Sequence, residues 1–207
     1  MIKPCLCVLG LLLLAALASL PSWPAASQDQ DTLAPLAIGA AMEDFGLRAL
    51  DAASGQLKQL VWLSDYVGPE VPSERRKRLL VLSYFAMWCK PCLSELTLLR
   101  DLQSRYAAHG LQVLGVNHRR ADESLTDTIQ TLQRWLPEGG LGFPLLFDRY
   151  TDRTQLIYLG RPAKLPHSIL IDSSGHVVAR MQGSEARDIE RVVRAQLGLS
   201  DSAGASP

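Results

Sequence analysis

Leu79-Leu80-Val81-Leu82-Ser83-Tyr84-Phe85-Ala86-Met87-Trp88-Cys89-Lys90-Pro91-Cys92 is the stretch on which the reading of this chain turns. Its first half is apolar on both faces, as expected of a strand in the middle of a sheet. It runs into Trp88-Cys89-Lys90-Pro91-Cys92, and then into Leu93 to Tyr106, where Leu93, Leu96, Leu99, Leu102 and Tyr106 keep helical spacing. Two cysteines so spaced can close a small disulfide ring, or open it and pass two electrons to a partner. A pair placed where a buried strand turns into a helix reads as a redox motif rather than a chance pair.

Outward from the motif, His109-Gly110 ends the helix, and Leu111 to Val116 is a second buried strand. Leu125, Ile129, Leu132 and Leu136 mark a helix stopped by Pro137, and Pro144 to Phe147 is a short strand. Ser168 to Ile171 and His176 to Arg180 flank the turn Asp172-Ser173-Ser174-Gly175, a hairpin. Ile189, Val192, Val193 and Leu197 predict a C-terminal amphipathic helix with Ser184 as its N-cap. Upstream, Phe45 to Leu50 and Gln56 to Val61 flank a five-residue loop, a first hairpin, and Leu63 to Tyr66 starts a short helix. Gly68 to Arg78 reads as a polar loop, and its basic run Arg75-Arg76-Lys77-Arg78 as a solvated segment before a buried strand. The order is a β-hairpin, then β-α-β-α-β, a helical connection, then β-β-α. Strand-helix-strand units require parallel pairing, while the last two strands are antiparallel. The fold class is therefore α/β: a mixed central sheet with helices on both faces and an N-terminal hairpin extension.

The 207 residues suffice for one domain with a real core, and 47 % apolar content excludes a disordered chain. Formal net charge is zero, so nothing points to nucleic acid or an anionic membrane surface. Lys3 followed by the apolar run Val8 to Leu20, then Pro21 and the small residues Ala25-Ala26-Ser27, reads as a signal peptide over residues 1–27. The run is shorter than the ~20 residues a membrane-spanning helix needs. An uncleaved N-terminal anchor is the alternative, and either way the body is exported to the periplasm. Residues 28–35 read as a linker, 36–197 as the folded domain and 198–207 as a disordered tail.

Cleavage would remove Cys5 and Cys7 and leave Cys89 and Cys92 as the only cysteines. That is not a disulfide-stapled scaffold. It would also remove Lys3, leaving 20 basic and 21 acidic residues and a net charge of −1.

The order of elements, with Trp88-Cys89-Lys90-Pro91-Cys92 at the first strand-to-helix junction of the β-α-β-α-β run, resembles the thioredoxin fold. The chain is similar to its exported branch, the TlpA-like thiol-disulfide oxidoreductases, which include proteins serving cytochrome c maturation. The resemblance spans residues 36–197. It rests also on the entry segment ending in Leu63-Ser64-Asp65, on Glu95 three residues after Cys92, and on Leu165-Pro166 followed by Ser168-Ile169-Leu170-Ile171-Asp172 and Gly175. It implies that Pro166 is the cis-proline and that its loop lies beside the cysteines. Three positions depart from the pattern. Thr97 stands where a proline is frequent, Leu165 where a threonine or valine precedes the cis-proline, and His167 where a small or hydroxylated residue follows it.

Thiol-disulfide exchange needs a thiolate, an accessible sulfur and a second thiol to resolve the mixed disulfide. Cys89 at a helix N-terminus has its anion favoured by unpaired N–H groups and the helix dipole, so it is the expected nucleophile. Cys92, one turn in, is the expected resolving thiol. Lys90 and Pro91 are candidates for tuning the redox potential, Lys90 competing with a plain solvated role. Glu95 shares a helix face with Cys92 and is the candidate proton acceptor, its plain alternative being an exposed helix glutamate. Trp88, Leu165 and Pro166 are the expected substrate-binding residues, the backbone of Leu165 pairing with an extended peptide. His167 is expected to be structural rather than a tuner of the thiolate.

Zinc needs three or four ligands, and the remaining histidines (109, 118, 167, 176) lack ligand spacing, so no metal site is expected. A copper-handling relative, for which His118 is the loose candidate, a thiol peroxidase of the same superfamily and an inert binding module are the competing readings. The expectation is an exported reductant of protein disulfides. It needs no organic cofactor, is fed by a protein electron donor, and acts as a monomer.

Overall fold

The computed structural model describes residues 33–120, 122–147, 153–183 and 188–199. The signal segment, residues 28–32, the Ser184 cap and residues 200–207 lie outside the described residues. Seven strands form one sheet: β1 (Gly46–Asp51), β2 (Gln56–Trp62), β3 (Leu79–Phe85), β4 (Leu111–Asn117), β5 (Leu145–Phe147), β6 (His167–Asp172) and β7 (Val177–Gln182). Their spatial order is β2-β1-β5-β4-β3-β6-β7. The helices are α1 (Lys90–Tyr106), α2 (Leu125–Trp135), α3 (Arg153–Leu159) and α4 (Ile189–Gln196).

The two strands read as apolar on both faces, β3 and β4, sit inside the sheet, and all their residues are buried. They pair in parallel from Leu79↔Leu111 to Phe85↔Asn117. Strand β6 lies antiparallel on the other side of β3, from Leu79↔Asp172 to Tyr84↔His167. The period of two sorts the side chains. Leu79, Val81 and Phe85 face one layer, with Leu96, Leu99 and Leu102 of α1, Ile129 and Leu132 of α2, and Ile189 and Val193 of α4. Leu80, Leu82 and Tyr84 face the other, with Leu63, Val67 and Tyr158 of α3. Each fully buried leucine contributes ~2 kcal/mol of apolar transfer, so the α1 face alone anchors the helix firmly.

The N-terminal hairpin is not an appendage. Strand β1 joins β5 antiparallel through Arg48↔Phe147 and Ala49↔Leu146, and so extends the central sheet by two strands. The chain before it is pinned as well. Leu33 bridges Arg161, the Leu36 N–H donates to the Ile157 carbonyl, and the Gly39 and Met42 N–H groups donate to Val177 and Gly175. At the other end, the Leu199 N–H donates to the Arg194 carbonyl.

Gly160 shows how tightly that N-terminal strap is seated. It leaves α3 with φ +70°, and a Cβ there would overlap the Leu33 carbonyl oxygen and lie 2.8 Å from the Pro35 nitrogen. The left-handed backbone and the close approach both call for glycine. We expect Gly160→Ala to lose more than ~1 kcal/mol of stability, seen as a lower denaturant midpoint. An unchanged midpoint would show that the strap gives way freely.

Candidate active site

Helix α1 begins at Lys90, three residues before the apolar periodicity does, because Cys89 caps it. Cys89 has extended backbone (φ −94°, ψ 92°), and its sulfur accepts the N–H of Cys92 at 3.3 Å. A cap of this kind places a donor and the positive end of the helix dipole on the sulfur. Pro91 falls in the first turn, where the absent N–H has no intrahelical partner to lose. Cys89 and Cys92 are joined by a disulfide, with Cα atoms 5.3 Å apart. The sulfurs are unequal: Cys89 retains 7 % exposure and Cys92 none. Lys90 and Pro91 are exposed beside them, and Trp88 is 42 % exposed.

One turn beyond Cys92, Glu95 points into the protein and is buried. Its Oε1 accepts hydrogen bonds from Ser83 Oγ at 3.2 Å and Ser168 Oγ at 2.5 Å, while Oε2 is buried with no hydrogen-bond partner among the described residues. Burial pushes the carboxyl above its ordinary range, and the two serine hydroxyls offset only part of that. Ser83 and Ser168 are direct cross-strand partners of β3 and β6, on the face that carries α1. The exposed-glutamate alternative does not hold. The two serines themselves are not evident from the reading of Leu79 to Phe85 as apolar on both faces. The available signal was one hydroxyl interrupting each apolar strand.

The Leu165–Pro166 bond is cis, as is Arg161–Pro162, which the sequence pattern did not single out. Pro166 is buried and Leu165 half-buried, packed against both cores. Strand β6 starts next to the end of β3, so this loop and the cysteine loop leave the sheet at one end.

His167 lies fully buried on the opposite face of the sheet from the cysteines. Its Nε2 is 2.9 Å from Arg180 Nη2, and the Gln182 side-chain amide is 3.1 Å from Nδ1. Burial first, and the Arg180 charge second, push its pKa from 6.5 down to about 4. The ring is neutral and accepts from Arg180 through Nε2. Arg180 in turn donates to the Leu36 carbonyl at 2.7 Å. A folded-state pKa below the unfolded one contributes stability that is complete above pH 6.5 and is lost as pH falls through about 4. Stability should therefore drop across that window in the wild type and drop less in His167→Gln. Equal slopes in acid unfolding curves would overturn this.

His118 follows β4, its ring nitrogen Nδ1 against Gln155 Oε1 and its ring edge-on to Trp88 with centroids 6.1 Å apart. Among the described residues no three His, Cys, Asp or Glu side chains are grouped to hold a metal ion. Among them, too, no helix is long and apolar enough to cross a membrane.

A cysteine pair capping the helix that follows a buried strand, at the sheet end that also carries a cis-proline, in a mixed sheet of this order defines a thiol-disulfide oxidoreductase of the thioredoxin superfamily. Residues 38–180 match the AhpC/TSA family, and the chain belongs to it. It is similar to the thiol-disulfide oxidoreductase ResA of Geobacillus kaustophilus (strain HTA426). The two are 28 % identical over 157 residues, 75 % of this chain and 76 % of the relative. Among solved structures it is similar to a protein from Chlorobium tepidum assigned as the thiol:disulfide interchange protein DsbE. The TM-score is 0.57 and the identity 26 %, over 79 % of this chain and 99 % of that one. A protein from Sinorhizobium meliloti 1021 shares the fold at 21 % identity and TM-score 0.60, over 85 % of this chain and 92 % of that one.

Proposed function

We propose that this chain is an exported enzyme that reduces disulfides of partner proteins. The observation that carries the reading is the inequality of the two sulfurs: Cys89 capped by an N–H at the helix end, Cys92 sealed one turn beneath it. In the reduced form the Cys89 thiolate attacks one sulfur of the partner's disulfide. A mixed disulfide forms and the partner's first thiolate leaves. Cys92 then gives its proton to Glu95 and attacks the Cys89 sulfur, which releases the partner as a dithiol and leaves the Cys89–Cys92 disulfide. A protein donor returns the two electrons, and no organic cofactor or metal takes part.

The docking surface is Trp88 and the backbone of Leu165 beside Pro166, with Lys90 and Pro91 setting the potential. Export is supported by the Lys3, Val8-to-Leu20 and Ala25-Ala26-Ser27 pattern, and the protein acts as a monomer. The apocytochrome c disulfide is the first partner to test, in keeping with the TlpA-like resemblance. Equilibration of the purified domain with glutathione and dithiothreitol buffers tests the direction. A potential well below that of a strong oxidant such as DsbA, about −120 mV, is expected. A value near that figure would make the protein an oxidant, and peroxide turnover by the isolated domain would displace the reading altogether.

A further inference from the structure

Three loops converge at the end of the sheet that holds the disulfide. Strands β3 and β4 run parallel to Phe85↔Asn117, and β6 starts antiparallel beside Tyr84 at His167. The residues after Phe85, after Asn117 and before His167 therefore leave the sheet together. They carry Lys90, Arg120, Arg161 and Lys164, all exposed, and none of the four is in an ion pair among the described residues. Arg119 is half-buried and donates to the Glu123 carbonyl. The same loops hold two carboxylates, Asp122 and Glu123, and Glu123 already accepts the Arg120 backbone N–H at 3.0 Å. The whole chain is formally neutral, so this excess is not a property of the chain as a whole.

Arg120 also contacts the motif itself. Its guanidinium lies 4.2 Å from the centroid of the exposed Trp88 ring, next to Cys89. The Trp88 ring meets His118, which Gln155 holds from behind. Strand β3 lies between β4 and β6. The loop after β4, with Arg120, and the segment before β6, with Lys164, therefore leave the sheet on opposite sides of the cysteine loop.

We propose that this basic rim selects a protein partner whose disulfide lies in an acidic segment, with carboxylates flanking the target cysteine. The proposal rests on the disulfide-reduction reading above. Lys90 lies between the two cysteines and Arg120 rests on Trp88 beside Cys89, so the occupant that brings the complementary charge is the one that brings the disulfide. Fixed cations of this kind speed encounter with an anionic partner and slow it with a cationic one, and salt weakens both effects.

The test mixes the reduced protein with three disulfides and measures second-order rate constants. Two are peptides of equal length with the cystine flanked by Asp and Glu or by Lys; the third is neutral 2-hydroxyethyl disulfide, the reference. The acidic peptide should react ~10-fold faster than the basic one at ~20 mM salt, with the gap closing at ~0.5 M. Arg120→Glu combined with Lys164→Glu should remove or invert the ratio. Lys58→Glu combined with Arg191→Glu, which changes net charge equally but at β2 and α4, should preserve it. Equal rates for the two peptides in the wild type would overturn the proposal. So would a ratio that survives the rim reversal, or vesicle binding through phosphatidylserine without any peptide preference. Failure to react with all three disulfides would instead overturn the reduction reading, and this proposal with it.

Discussion

Cys89→Ser should lower the rate of disulfide reduction by ~10³-fold or more, the scale of removing a nucleophile. Cys92→Ser should leave the first attack intact and stop the second. The asymmetry follows from the geometry. The Cys89 sulfur sits at the helix end with the Cys92 N–H on it, 3.3 Å away, whereas Cys92 is wholly buried. A serine hydroxyl at position 89 keeps the cap but does not exchange with a disulfide at neutral pH. A serine at position 92 leaves Cys89 able to form a mixed disulfide that nothing resolves. Expressed in the native host, Cys92→Ser should therefore accumulate covalent adducts at Cys89, and mass spectrometry of those adducts would identify the partners. Adducts on Cys92→Ser but not on the double variant with Cys89→Ser would complete the assignment. Adducts that persist in Cys89→Ser alone would reverse the two roles.

The junction that makes this chemistry possible was legible because both of its halves carry a strong local pattern. Leu79 to Phe85 has the continuous apolar run of a central strand, and Leu96, Leu99, Leu102 and Tyr106 form the inward stripe of the helix. The start of α1 was less legible. Lys90 and Pro91 add nothing to the apolar period, and it is the Cys89 cap that extends the helix back to them. The attachment of the N-terminal hairpin to β5 was not legible at all. Two short strands carry no local mark of which distant edge they will pair with, and Arg48↔Phe147 is a contact across some hundred residues. The serine pair was hidden by scale: one hydroxyl in a seven-residue apolar strand barely alters its pattern, yet it becomes a ligand for a buried acid once β6 sets Ser168 beside it. The His167 departure was visible as an anomaly. Its meaning came only from Arg180 and Gln182, both on β7.

Glu95→Gln should slow the resolving step by ~10²-fold at neutral pH and flatten its pH dependence, the range expected on removing a positioned proton acceptor. It should at the same time make the protein more stable at neutral and alkaline pH. The two effects share one cause. Burial raises the carboxyl above its ordinary value of 4.5, so the folded state holds the proton that the unfolded chain releases. A group raised in this way contributes stability that is complete below the unfolded value and is lost as pH rises through the folded one. Above that window the wild type keeps a carboxylate whose Oε2 is buried without a partner among the described residues, and glutamine removes the charge while still accepting from Ser83 and Ser168 through its carbonyl oxygen. The melting-temperature difference between Glu95→Gln and wild type should thus be small near pH 4 and grow towards pH 8. A structural glutamate that merely filled space would show neither the flattened rate profile nor the growing difference. If the rate profile stays intact while stability rises as expected, Glu95 is a buried acid with no part in resolving the mixed disulfide. If stability falls at high pH instead, the carboxylate is better solvated than its surroundings imply, and the proton relay loses its physical basis.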